Sequence, residues 1–377
     1  METLAELHRK VVFGQSGGRI IWQPRVGCWY ADKMFSGEGL PAPYTGMDRP
    51  ALFRALGCSA RIYEYNACFK AVEHPAVRRE ERKVSETDTE IVFHTPLGRQ
   101  TLVNRTSPNT FAVSHPKWPI ETLDDLRVAT WRAENTGWRW DQAAFDRVKA
   151  EWGDLGAPTM YMPRVNVQDL YINQMGTERA IYAVCDWQAE IEAYFRALDA
   201  CHERLMDVIA ASPIEIINFG DNLHAGTLSP AWFVKYVLPA YQRRCERLHE
   251  AGKFCHAHWD GDTGPLLPFA RETGLDGIEA ITPQPQGDVT LEEVKDALGD
   301  ELFLIDGIPA VYFDHTFPEE TLAACARRII DLFAPKLVLG ISDEISSTIT
   351  TGVSPRRARE TRTRRPLRCP SRDEVLR

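Results

Sequence analysis

Two rhythms of apolar and polar residues run along this chain, and the second half keeps them most regularly. From residue 214 onward, short apolar runs recur, and each is followed by a stretch of helical period. The runs are IEIINFGD (214–221), KFCHAHWD (253–260), GIEAIT (277–282), ELFLIDGIP (301–309) and KLVLGISDE (336–344). Between the first two lies SPAWFVKYVLPAYQRRCERLHEAG, with Ser229 suited to an N-cap, Pro230 to the first helical position and Gly252 to the end. Five strand–helix alternations of this kind predict a parallel sheet.

The first half is less regular. Residues 1–59 read as a loop-rich extension, rich in Gly, Pro and aromatics. ARIYEYNA (60–67) reads as a first buried strand. Residues 87–98 and 99–107 read as an antiparallel hairpin inserted after it, with Pro96 and Gly98 in the turn. Residues 120–153 read as helical, PTMYMP (158–163) as a strand, and AEIEAYFRALDACHERLMDVIA as a long helix with one apolar face. In a chain of 377 residues this predicts a (β/α)8 barrel of the TIM type, forming one domain over 1–352. There is no G-x-G-x-x-G after a strand, which argues against a doubly wound dinucleotide fold.

Charge and cysteines narrow the setting. The net charge is −9, and an acidic surface repels phosphate backbones, so no nucleic-acid partner is expected. No apolar stretch is long enough for a membrane span, and the N-terminus lacks the layout of a secretory signal. Nine cysteines without a C-x-x-C suggest reduced thiols in the cytoplasm. Residues 353–377 hold nine Arg against three acids, so the first 352 carry −15. This basic tail is expected to be disordered. Its abrupt composition would also follow from a shift of reading frame near Ser347. The segment 27–50 suits a lid or a homodimer contact.

Function in a parallel barrel sits where strands end. Here five consecutive strands end in carboxylates, amides or imidazoles: Asn218, Asp221 and Asn222; His256, His258 and Asp260; Glu279; Asp306; Ser342, Asp343 and Glu344. Gathering so many charges is costly without a cation or charged ligand. His256 and His258, two apart on a strand, point to one face. They read either as metal ligands or as hydrogen-bonded barrel histidines. As ligands they would be completed by Glu279 and Asp343, with Asp260 and Glu344 as alternates. Two nitrogens and two oxygens suit zinc, with iron and manganese as alternatives. Arg25, after Trp22, Gln23 and Pro24, reads as a clamp for a substrate carboxylate or as a surface ion pair. Glu64 reads as a buried acid that needs a partner, for which Arg25 is a candidate.

The succession WQPR, FGDNLHAGTLSPAWFVKYVLPAY, GKFCHAHWDGD, GLDGIEAITP and IDGIPA resembles the uroporphyrinogen decarboxylase superfamily, from about residue 20 to 348. The resemblance implies a distorted (β/α)8 barrel. It also implies one of two activities: cofactor-free porphyrinogen decarboxylation, or zinc-dependent methyl transfer with a corrinoid protein as partner. The metal positions of the methyltransferase branch fall on His256, His258, Glu279 and Asp343, with both of its usual cysteines replaced. The decarboxylases' R-Q-A-G-R is here QPRVGCW, and their first-strand Asp falls on Glu64. The chain therefore looks closer to the methyltransferases. The resemblance then implies Asp221 and Glu64 as catalytic residues, and Arg25, Gln23, Asn222, Asp306 and Glu344 as substrate-binding ones. The harder ligand set favours oxygen ligands over a thiol. A metal-free decarboxylase or lyase for a small acid is the alternative, and a non-catalytic ligand-binding barrel a third.

Overall fold

The structure is a computed structural model that describes residues 2–107, 112–314 and 316–345. The basic tail and the region of Ser347 lie outside the described residues.

Seven parallel strands form one curled sheet. They are β1 (Ile21–Trp22), β2 (Thr159–Met162), β3 (Ile216–Leu223), β4 (Phe254–Trp259), β5 (Gly277–Glu279), β6 (Phe303–Pro309) and β7 (Leu337–Ser342), and β2 to β7 pair in chain order with β1 beside β7. The five strands predicted in the second half are all present, because each apolar run is followed by a segment that folds back over the sheet. Ser229 caps the helical start at Pro230, accepting from the Trp232 amide, as its position predicts.

The eighth strand is where the prediction and the structure part. Residues 60–67 do not form a strand: Tyr63–Cys68 is a 3-10 helix. The segment before it crosses between the sheet's two edges with a single backbone amide hydrogen bond to each. The Ser59 amide donates to Trp22 O at 2.9 Å, and the Ala60 amide to Leu155 O at 2.8 Å. The arrangement is a seven-stranded partial barrel rather than a hydrogen-bonded ring of eight. Nor is 1–59 merely an extension. It supplies β1 and the helices Leu4–Val12, Gly27–Phe35 and Arg49–Leu56.

Helix Leu4–Val12 begins with a capping box at Thr3 and Glu6. Its Val11 and Val12 join Ile21, Ile216, Phe254, Phe303, Ile305 and Val338 in a small apolar cluster, distinct from the main core, that fills the N-terminal end of the strands. The predicted hairpin is present as Asp88–Thr95 and Gly98–Thr106, inside a four-stranded antiparallel sheet with Arg78–Lys83 and Val113–Lys117. Its edge, RREERK, is wholly exposed and charged, a composition that opposes edge-to-edge pairing. No helix among the described residues is long and apolar enough to cross a membrane.

Candidate active site at the strand ends

Four non-glycine residues have positive φ among those described: Asn222 (52°), Ala280 (66°), Asp306 (83°) and Asp343 (70°). Each lies at or just past the C-terminal part of β3, β5, β6 or β7. Such backbone strain collects where side-chain direction matters more than local comfort. Ile305 and Asp306 show the effect. They are consecutive, yet Ile305 joins the apolar cluster beneath and Asp306 meets Arg61 inside the barrel. Gly340 makes room for this turn. A Cβ there would lie 2.2 Å from Asp306 Oδ1 and 2.7 Å from Gln23 O. Gly340→Ala is expected to destabilise the fold by about 1–3 kcal/mol, read as a lower urea midpoint.

The deepest layer is a buried ion network. Arg61 Nη1 donates to Glu279 Oε1 at 2.7 Å, and Nη2 to Asp306 Oδ1 at 2.8 Å. Its Nε donates to Gln23 Oε1 at 3.2 Å, and Gln23 Nε2 is held by Ser59 Oγ and Ala60 O. Asn218 donates to Glu279 Oε2. Strand register places Asn218 beside His256 and Glu279 beside His258. His258 Nδ1 lies 3.1 Å from Glu279 Oε1. His256 Nδ1 lies 3.1 Å from Glu279 Oε2 but off the hydrogen-bonding direction, so it makes no hydrogen bond. Burial alone would raise Glu279, but Arg61 and the imidazoles outweigh it and hold the carboxyl well below its usual range.

Above this layer sits Arg25. Its Nη1 is 3.2 Å from His258 Nδ1, 3.4 Å from Glu279 Oε1 and 4.0 Å from Asp306 Oδ2. Its Nε donates to Glu344 Oε1 at 3.2 Å, and Glu344 Oε2 accepts from the Cys28 amide. The rim is formed by Asp260, Asp343 and Glu344. Burial would raise Asp260, yet the His258 imidazole, 3.9 Å away, and the charge of Arg25 bring it down. Asp343 goes the other way, raised by burial and then by the nearby Asp260 charge. His258 is raised: burial opposes its charge, but Asp260 and Glu279 prevail.

The structure thus gathers Arg25, Gln23, His256, His258, Glu279, Asp306, Asp343 and Glu344 at one mouth. Asn222 stands at its edge, accepting from Arg164 at 3.3 Å. Two expected catalytic acids are engaged elsewhere. Asp221 accepts from the Val165 amide and from Tyr241 Oη, each at 2.7 Å, and so ties β3 to the helix layer. Glu64 lies on the 3-10 helix and pairs with Arg49 at 2.5 Å, not with Arg25. Asn218 is named from sequence only as a strand-end residue without a role, and Arg61 is not named from sequence at all. Arg61 carried a signal: it is the one charge in Cys58–Ile62, whose other residues are all buried, and a buried Arg requires carboxylate partners.

The predicted metal quartet does not converge. Glu279 already receives Arg61, Arg25 and Asn218, and the position a cation would take between Glu279 and His258 is held by the Arg25 guanidinium. Asp343 accepts from the Glu344 amide at 2.7 Å. Two guanidiniums on one carboxylate oppose a further divalent charge. As arranged, these residues do not fit a metal ion.

No family model and no curated protein sequence matches the chain. Among solved structures, a methyltransferase from Methanosarcina mazei superposes with a TM-score of 0.56 at 12% identity, covering 96% of this chain and 97% of the other. The chain has a methyltransferase-like fold. A D-psicose 3-epimerase, solved in the presence of D-fructose, is similar over 63% of this chain and 83% of its own, with a TM-score of 0.34 and 10% identity. The mouth described above lies where barrels of this kind place their chemistry.

Proposed function

We propose that the chain is a methyl-transferring enzyme that demethylates a small anionic substrate at this mouth. The observation that carries this reading is the rim. One fixed cation, Arg25, stands beside a carboxylate held down, Asp260, and near a carboxylate held up, Asp343. Titratable groups pushed apart in this way divide into an acid and a base. The methyltransferase-like fold is consistent with the assignment.

Arg25 uses Nε and Nη1 for its protein contacts, leaving Nη2 for a substrate carboxylate. Asp343 then supplies the proton. As the methyl carbon moves to its acceptor, the carbon–oxygen bond breaks, its electron pair stays on the leaving oxygen, and that oxygen takes the Asp343 proton. The acceptor implied by the sequence resemblance is a corrinoid carried by a partner protein. Glu64 and Asp221, expected as catalytic residues, are engaged elsewhere, and of the acids and bases a metal-free decarboxylase would need, only Arg25 stands at the mouth.

The test is turnover of small methoxylated carboxylates with a reduced corrinoid as acceptor, reading the demethylated product. Asp343→Asn is expected to lower kcat by about 10²–10⁴-fold, and Arg25→Ala mainly to raise KM. Activity should fall as pH rises through the raised pKa of Asp343, and Asp343→Asn should lack that limb. An Asp343→Asn variant as active as the parent would sink the assignment.

A further inference from the structure

A second cluster lies outside the barrel, toward the opposite end of the strands. Cys255 sits between two inward-facing residues of β4, so its side chain points to the helix layer. Its amide donates to Asp276 Oδ2 at 2.7 Å, and His249 Nε2 lies 2.8 Å from that same oxygen. One ligand atom from each of His249, Cys255 and Asp276 lies within 4.8 Å of the other two. Cys245 stands four residues before His249 on helix Leu238–Glu250, hence on the same face, and its thiol is a near neighbour of that of Cys255. Both cysteines are buried, whereas the His249 and Asp276 side chains are 38% and 35% exposed.

We propose that Cys245, His249, Cys255 and Asp276 form a metal site for zinc, separate from the mouth and structural in role. Two sulfurs, one nitrogen and one oxygen are a zinc-type donor set. Metal–ligand distances of about 2.0–2.3 Å place tetrahedral donors roughly 3–4 Å apart, so shifts on the order of 1 Å close His249, Cys255 and Asp276 on an ion, and Cys245 approaches from the Cys255 side as the fourth donor. The two half-exposed ligands offer a path from solvent to the buried thiols. Each thiol loses its proton to solvent on binding. A dithiol redox pair would need the sulfurs alone and would give no role to the imidazole and carboxylate that meet at Cys255. The bound ion would tie helix Leu238–Glu250 to β4 and to the turn before β5, directly behind His256.

The full chain, stripped of metal and then titrated with zinc or cobalt(II), tests this. The expected result is one equivalent bound, a thiolate-to-cobalt charge-transfer band, and a rise in melting temperature with zinc. His249→Ala and Asp276→Asn, chosen because both side chains are partly exposed and should still fold, are expected to weaken binding by at least about tenfold. His256→Ala should bind as the parent does. Absence of binding, absence of the thiolate band, or binding lost in His256→Ala but kept in His249→Ala overturns the site.

Discussion

Arg61→Met is expected to cost about 3–5 kcal/mol in unfolding free energy, the largest effect of any single substitution at the mouth. Glu279 and Asp306 are fully buried, and Arg61 meets both at 2.7–2.8 Å. Removing the guanidinium leaves two charges inside the sheet with Arg25 as their remaining cation. Breaking a buried pair on one side costs this much because the surviving charge cannot regain water. The loss is therefore not the net worth of the ion pairs. Adding Asp306→Asn removes one orphaned charge, so the double variant should be more stable than Arg61→Met alone. Urea unfolding of the parent, each single variant and the double variant reads both effects. A double variant that falls by the sum of its parts would show that the network is not the cause.

Acid should unfold the protein before its carboxylates titrate. His8 is buried beside Gln23, Arg61 and His256, and burial followed by the Arg61 and His256 charges lowers it to about 3. His202 is buried against Arg244, whose Nη2 lies 2.6 Å from its Nδ1, and burial and Arg244 lower it well below its usual value. The sign follows from linkage. Below about pH 6.5 the unfolded chain protonates these imidazoles and the folded chain does not, so stability falls with pH from there toward about 3. For His8 alone, a shift from 6.5 to about 3 corresponds to on the order of 5 kcal/mol at the acid end. His258, raised rather than lowered, acts in the opposite sense: its stabilisation is present at low pH and lost as pH rises through its pKa. Chemical denaturation between pH 7 and 4 should show the decline. His8→Asn and His202→Gln should each flatten it, whatever they do to stability at pH 7. Unchanged slopes in both variants would assign acid sensitivity to other groups.

Much of this molecule is legible without coordinates. The strands β3 to β7 follow from apolar runs that each end in polar residues. The shared direction of His256 and His258 follows from the two-residue period of a strand, and their nearness to Glu279 from parallel pairing of neighbours. Those are local or nearest-neighbour consequences of chain geometry, and a sequence carries them directly. The eighth strand was misread for a tertiary reason. Residues 60–67 have a strand's composition, but the run lies between two sheet edges, each met through a single backbone amide hydrogen bond. It turns into a 3-10 helix that carries Glu64 to Arg49.

The roles of the acids were decided at the same level. Asp221 and Asp306 look alike in sequence, each following an apolar strand. One faces Tyr241 and the Val165 amide on the helix side. The other, released by a positive φ and by the space at Gly340, faces Arg61 within the sheet. Arg25 was visible as a cation, but not as the group standing between Glu279 and His258. The sequence by itself determined which residue types arrive at the strand ends. Only the tertiary structure decided which of them face one another, because a buried charge is placed by partners distant in the chain.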